Sequence, residues 1–137
     1  MAVEMTGRYT GTLRTEITHG PSGAVLHTAA PADNQGDGSS FSPTDLLAAA
    51  LASCMVTTLA IVAQRSGIGL SGVTFSVHKH MHPEPRRLGR LPVTLHLPAR
   101  LTPEERQKLE RAALACPVHR SLLPEVEREV TFLYDLE

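Results

Sequence analysis

The sequence predicts an α+β fold, in which strands and helices follow one another without a repeating βαβ unit. The predicted elements run as strands, one long helix, two strands, a shorter helix and a closing strand. No internal repeat and no linker divides the 137 residues, a length typical of one domain with its own core. We therefore expect a single domain over residues 1–137.

The N-terminal third is predicted to form two short strands and a loop. Residues 8–17 and 23–28 read as strands, and the turn sequence THGPSG separates them. Residues 31–41 (PADNQGDGSSF) combine Gly, Asp, Ser and Asn, a composition typical of a loop.

A long helix is predicted from residue 42 to about Ser66. Ser42 suits the N-cap because Pro43 follows at the first helical position and Asp45 completes an S-x-x-D capping box. Gly67 supplies the left-handed residue that commonly ends a helix.

This helix carries no charge between Leu46 and Ala63. The segment reaches the lower length limit of a membrane span, but small residues fill most of it and no Lys/Arg-biased loops accompany it. The alternative is a helix buried all round in protein. Because one sheet covers only one face, we expect a second copy of the chain to cover the other, which predicts a homodimer.

Two strands are predicted after the helix, at residues 73–82 and 90–98, since apolar and polar side chains alternate in both. Residues 83–89, which include a PRR cluster, form the connecting turn. The side chains expected to point inward are Val73, Phe75, Val77, Leu91, Val93, Leu95 and Leu97.

The C-terminal third is predicted to form two helices and a final strand. Residues 102–115 begin with a second capping signal, in which Glu105 follows Thr102 by three positions. Cys116 lies near the N-cap of a short third helix because Pro117 ends or redirects the second one. Residues 128–137 form the closing strand.

The composition excludes several function classes. A net charge of -1 predicts neither nucleic-acid binding nor attraction to an anionic membrane. No secretory signal is visible at the N-terminus, so we expect the cytoplasm. There, Cys54 and Cys116 are a redox pair or two inert thiols rather than a structural disulfide.

The phrase PTDLLAAALASC, followed 62 residues after its cysteine by CPVHRSL, resembles the OsmC/Ohr family of hydroperoxide-detoxifying thiol enzymes. The resemblance extends over nearly the whole chain, and the details SPTDLL and PRR favour an uncharacterised OsmC-like branch. It implies an OsmC-like fold, with sheets wrapped around central long helices in an intertwined homodimer. That implication agrees with the dimer expected from the helix.

The resemblance also implies a reaction. Cys54 would be the peroxidatic thiol that attacks a hydroperoxide, and Cys116 would resolve the sulfenic acid as a disulfide. An external dithiol would reduce that disulfide, so neither a cofactor nor a metal is expected. From the residues alone, a small buried apolar role for Cys54 stays open, whereas a helix start should lower the pKa of the Cys116 thiol.

The chain departs from the family peroxidases where they pair an arginine with a glutamate to support the thiolate. Thr44 stands in place of that glutamate. Asp45 is expected on the helix face opposite Cys54, since nine residues turn through about 900°, which favours a cap over a catalytic role. Family position assigns the arginine to Arg14, with Arg8 as a poorer candidate, although both could be exposed strand residues.

Further basic residues leave alternatives open. His119 shares a helical face with Cys116 and could act as a base or stabilise a thiolate, but a surface histidine is the simpler interpretation. Three histidines alternate along a predicted strand without other metal ligands, which favours an exposed polar face over a metal site. Three arginines at the hairpin could reach across a dimer or form a solvated turn. These residues are His78, His80, His82, Arg86, Arg87 and Arg90.

Two functions from different classes follow. The first is a thiol-dependent reductase of organic hydroperoxides in the oxidative-stress response. Its pocket around Cys54 would be lined by Leu47, Leu51, Met55 and Leu59. The second is a non-catalytic dimer of the same fold that binds an apolar metabolite or senses oxidants. Retention of both cysteines favours the first function, whereas Thr44 and the absence of arginine from the loop before the helix favour the second.

Overall fold

A computed structural model describes all 137 residues and has eight strands, three α-helices and one short 3-10 helix. The chain forms two compact units, Met1–Leu47 and Ala48–Glu137. The α+β class predicted from the sequence is therefore confirmed. The expectation of one domain over residues 1–137 stays a prediction.

The first unit contains a three-stranded antiparallel sheet in the order β1-β2-β3. Its strands are β1 (Met5–Gly11), β2 (Arg14–His19) and β3 (Val25–Ala29). The single strand predicted over residues 8–17 is wrong, because a two-residue turn divides it. Thr12 and Leu13 both take positive φ angles, 54° and 61°, which suit the tight turn between antiparallel strands.

The loop after β3 is held by its own backbone. A 3-10 turn at Ala32–Asn34 opens it. The N–H of Gly36 donates to the carbonyl of Pro31 at 2.9 Å, and the N–H of Gly38 donates to Ala30 at 3.3 Å. A Cβ at Gly36 would collide with the Ala30 carbonyl, so only glycine allows this close approach.

The long helix α1 spans Pro43–Arg65, within one residue of its predicted end. The predicted capping box is present: the Asp45 N–H donates to Ser42 Oγ at 3.0 Å, and the Ser42 N–H donates to the Asp45 carboxylate at 2.8 Å. Gly67 has φ 70°, and the following Ile68 N–H returns to the Ala63 carbonyl at 2.8 Å. The sequence therefore specified both ends of α1 correctly.

The second unit contains a mixed sheet and a separate hairpin. In the mixed sheet, of order β4-β7-β8, β4 pairs antiparallel and β8 parallel to β7. Its strands are β4 (Thr74–Val77), β7 (Val93–Pro98) and β8 (Val130–Leu136), and the hairpin is β5 (His80–Pro83) with β6 (Arg86–Arg90). The helices are α2 (Pro103–Leu114) and α3 (Pro117–Ser121).

The single strand predicted over residues 73–82 is also wrong, since β4 ends before His78. The His78 N–H donates to the carbonyl of Pro92, but Pro92 has no N–H to return, so the ladder stops there. Residues 83–89 likewise contain most of β6 rather than only a turn. Phe75 is 45% exposed at the edge of the sheet, although an inward position was expected.

The core of the second unit joins α1, β7 and α2. It contains Leu51, Met55 and Leu59 from α1, Val93, Leu95 and Leu97 from β7, and Leu109 and Ala113 from α2. The alternation predicted along β7 is thereby confirmed. Helix α1 has the length and composition of a membrane span, a test that the core helix of a soluble protein also passes. About a third of the apolar window, which includes Leu51, Met55 and Leu59, is buried in the core.

Candidate functional site

Cys54 lies in the middle of α1 at the boundary between the core and the surface. It is partly buried and packs against the core of the second unit. Its Sγ lies 4.0 Å from Oγ1 of Thr58, one helical turn further on. Cys54 therefore combines an apolar setting with partial access from outside.

Cys116 occupies the N-cap of α3, as the sequence predicted, and is fully buried. Its Sγ accepts a hydrogen bond from the backbone N–H of His119 at 3.3 Å. Its own N–H donates to the Ala113 carbonyl at 3.2 Å, at the end of α2. The break between α2 and α3 therefore places this thiol inside the core.

The structure brings the two thiols together. Burial raises the pKa of the Cys116 thiol, and the neighbouring Cys54 raises it further by hydrogen bonding and by charge. The N–H groups of His119 and Val118 lower it but do not outweigh the burial. The lowered pKa expected at this helix start is therefore wrong, while the two side chains, 62 residues apart in sequence, are neighbours. Both are free thiols.

His119 is not the surface histidine expected from the sequence. Its side chain is partly buried, and its ring Nδ1 is enclosed without a hydrogen-bond partner. Burial, and to a smaller degree the positive charge of Arg128, lowers its pKa below the usual histidine value of 6.5. Because this pKa lies below 6.5, the imidazole of His119 is mostly neutral at pH 7.

Arg14, in the first unit, has defined partners. Its Nη2 donates to the Asp37 carboxylate and, at 2.8 Å, to Ser39 Oγ. Asp37 also accepts the Ser39 N–H at 3.0 Å, and the hydrogen bonds from Ser39, followed by Arg14, lower the pKa of the Asp37 carboxyl. Sequence reasoning missed Asp37 and Ser39, although Asp-Gly-Ser in the loop is a turn sequence that can present a carboxylate.

Asp45 and Thr44 lie in the first turn of α1. Asp45 acts as the cap that the sequence favoured, through its two hydrogen bonds with Ser42. Thr44 Oγ1 lies 3.2 Å from Ser42 Oγ. The residue in place of the family glutamate therefore belongs to the polar cluster at the helix start and carries no charge.

The remaining basic candidates are distributed over two sheets. Arg8 pairs with Glu16 across β1 and β2 at 3.1 Å. In the β5–β6 hairpin, the register places His80 opposite Arg90 and His82 opposite Arg87, whereas His78 lies outside both strands. The prediction of three histidines on one strand face is therefore wrong. No group of three or more His, Cys, Asp or Glu side chains has a metal-binding arrangement.

The apolar side chains expected around Cys54 have a different role. Leu51, Met55 and Leu59 are fully buried core residues rather than an open lining, while Leu47 is 40% exposed. An open apolar depression of about 390 Å³ lies instead on the sheet of the first unit. It is lined by Met5, Ile17, His19, Ala24, Val25 and Leu26.

Comparisons with known proteins identify the family of this chain and solved structures with a similar fold. A model of the family described as OsmC-like protein matches residues 36–131, which include both cysteines. No curated protein matches the sequence. The chain is 38% identical to a candidate osmotic stress induced and detoxification response protein from Psychrobacter arcticus. That alignment covers 96% of this chain and 95% of the other, with a TM-score of 0.87.

Two other solved structures share the fold at lower identity. The organic hydroperoxide resistance protein OsmC of Legionella pneumophila is 22% identical, with 97% of each chain covered and a TM-score of 0.71. The organic hydroperoxide resistance protein OhrB of Bacillus subtilis is 21% identical, with 96% of this chain and 98% of that chain covered and a TM-score of 0.65. The OsmC-like fold implied by the sequence is thereby confirmed.

The difference in burial predicts an order of modification of the two thiols. With limiting iodoacetamide at neutral pH, Cys54 should be alkylated before Cys116, because Cys116 is fully buried and burial raises its pKa. Peptide mass spectrometry at a series of times measures both sites in one sample. Modification of Cys116 first would contradict the described burial.

Proposed function

Because the chain belongs to the OsmC-like protein family, we propose that it is a thiol-dependent reductase of organic hydroperoxides, with Cys54 peroxidatic and Cys116 resolving. The observation that carries the proposal is the placement of these two free thiols next to each other in one core. The names of the Legionella and Bacillus structural neighbours support the substrate class.

In the first step the peroxide reacts with Cys54, because the Cys54 side chain is only partly buried whereas Cys116 is fully enclosed. The Cys54 thiolate attacks one peroxide oxygen, a sulfur–oxygen bond forms and the oxygen–oxygen bond breaks. The alkoxide takes a proton and leaves as an alcohol. Cys54 is then a sulfenic acid.

The second step uses the neighbouring Cys116. Its sulfur attacks the sulfenic acid, a disulfide forms, and the hydroxyl leaves as water. The proximity of a second thiol protects Cys54 from further oxidation, since resolution competes with a second peroxide. An external dithiol then reduces the disulfide by exchange and completes the cycle.

Peroxide consumption tests the proposed activity. With a dithiol reductant present, the wild-type protein should consume an organic hydroperoxide, and Cys54→Ser should not, because it lacks the nucleophile. Without reductant, Cys116→Ser should accumulate sulfenic or sulfinic acid at Cys54, because no second thiol resolves the sulfenic acid. Peroxide loss and the mass of Cys54 measure these outcomes. Equal consumption by wild type and Cys54→Ser would contradict the proposal.

We assign the supporting cation to Arg14, on the basis of its position in the family. The attacking sulfur carries a negative charge that a nearby cation stabilises, and a guanidinium keeps its charge at any working pH. The bonds from Arg14 to Asp37 and Ser39 restrict its side chain, which supports a positioned cation rather than a mobile surface residue.

Arg14→Ala should therefore slow the reaction of Cys54 with hydroperoxide at neutral pH by about tenfold for each ~1.4 kcal/mol of lost thiolate stabilisation. Arg8→Ala is the matched control, since it removes a paired arginine from the same sheet. Arg86→Ala and Arg87→Ala should also leave the rate unchanged. Stopped-flow measurement compares the four variants, and unaltered reactivity in Arg14→Ala would remove it from the mechanism.

We also propose that the protein is a homodimer. Between Leu46 and Ala63 the helix has no charged residue, and Leu47 and Ile61 remain 40% and 45% exposed along it. Apolar surface on an uncharged helix is typical of a protein interface.

Light scattering at micromolar concentration should give the mass of two 14.8 kDa chains. Ile61→Arg should weaken the dimer, because it introduces a charge into the uncharged exposed stripe. Gln64→Arg, at another exposed position near the helix end, should not weaken it. A folded wild-type monomer would contradict the proposed dimer.

The alternative function is a non-catalytic dimer that binds an apolar metabolite. Thr44 in place of the family glutamate favours it, as does the apolar depression on the first sheet. A binder would retain its ligand affinity in Cys54→Ser and would consume no peroxide. The peroxide assay described above therefore distinguishes the two functions.

A further inference from the structure

One buried polar atom in the second unit has no hydrogen-bond partner. It is Nδ1 of His119, on α3. Buried side-chain nitrogens are nearly always bonded, so an unpaired one calls for a chemical explanation. His119 follows Cys116 by three residues, and its backbone N–H already contacts the Cys116 sulfur at 3.3 Å.

A comparison of the N-terminal caps of α2 and α3 shows what is unusual at His119. In α2, Thr102 and Glu105 form a complete capping box: Thr102 Oγ1 accepts the Glu105 N–H, and the Glu105 carboxylate accepts the Thr102 N–H. In α3, Cys116 and His119 occupy the same two positions and make only the first bond, since the Cys116 N–H turns to Ala113. His119 thus occupies the position that Glu105 holds in α2, three residues after the cap, but its ring nitrogen makes no bond to the cap residue.

The resolving step requires a proton acceptor near Cys116. A thiolate, not a thiol, attacks the sulfenic acid, and burial raises the pKa of Cys116 so that it is protonated at neutral pH. The charged and titratable groups that act on this pair are Arg128, which cannot accept a proton, and Cys54, which is the sulfenic acid at this stage. Helix α1 brings no carboxylate between Leu46 and Ala63. His119, three residues after Cys116 and with an unused ring nitrogen, is the base that we consider.

We propose that His119 is the general base and acid of the resolving step, an inference that rests on the proposed peroxidase function. The imidazole turns toward the sulfur, three residues away, and Nδ1 takes the proton from the Cys116 thiol as the sulfur attacks Cys54. The sulfur–sulfur bond forms and the sulfur–oxygen bond of the sulfenic acid breaks. The imidazolium returns its proton to the departing hydroxide, which leaves as water, so the histidine ends neutral.

The neutral imidazole needed for this role agrees with the surroundings of the ring. Burial and Arg128 both disfavour its protonated form and lower its pKa below 6.5. The resolving rate should therefore rise with pH as His119 loses its proton, with a midpoint below the usual histidine value. Removal of the Arg128 charge should move that midpoint upward.

The test separates the two chemical steps. Reduced protein is mixed rapidly with an organic hydroperoxide, and samples quenched with a sulfenic-acid trap report sulfenate formation and its decay to the disulfide. In His119→Gln, formation of the sulfenate should be unchanged, while its decay at pH 7 should slow about a hundredfold. Its pH profile should lose the midpoint that the wild type shows, and in Arg128→Gln that midpoint should shift to higher pH. His78→Gln, an exposed histidine, is the matched control and should resemble wild type.

The outcomes for the proposed peroxidase function and for the role of His119 can be told apart. If wild type forms no sulfenate, the proposed peroxidase function fails, whatever His119 does. If wild type forms and resolves a sulfenate, and His119→Gln resolves it at the same rate with the same pH profile, the role of His119 is wrong. An unchanged sulfenate-forming rate and circular dichroism spectrum show that His119→Gln is folded, so a slower second step then reports on chemistry.

Discussion

Burial of one face of α1 is the interaction on which the rest of the second unit depends. Leu51, Met55 and Leu59 are fully enclosed against β7 and α2, and burial of each such side chain contributes about 2 kcal/mol. The same core includes Cys116, because Pro117 ends α2 and starts α3 at that point. Cys54, on the edge of the buried helix face, is thereby brought beside a thiol from a distant part of the chain.

This burial also sets the chemistry of the thiols. An apolar core disfavours a thiolate, which raises the pKa of Cys116 and leaves the neighbouring imidazole of His119 neutral and unpaired. The proposed reaction therefore needs a cation for the attack on peroxide and a base for the resolution. Arg14, restrained by Asp37 and Ser39, and His119, at the reciprocal position of the cap, are assigned to these two requirements.

Local signals predicted α1 and α2 well, because capping boxes and a terminal glycine act within a few residues of the chain. The alternation of apolar and polar residues in β7 could also be predicted from the sequence, since Val93, Leu95 and Leu97 face one continuous core. The divided strands were not, because the turn at Thr12 needs two positive φ angles in non-glycine residues and the end of β4 depends on Pro92 in another strand. The pairing of Arg14 with Asp37 and the burial of His119 likewise depend on tertiary contacts that spacing does not encode.

Whether Cys54 and Cys116 form one redox pair can be measured by peptide mass spectrometry after one equivalent of an organic hydroperoxide without reductant. We expect an intramolecular disulfide that joins the Cys54 and Cys116 peptides and is lost on addition of a dithiol. Two thiols that stay reduced under oxidant that fully converts a known thiol peroxidase would contradict this expectation.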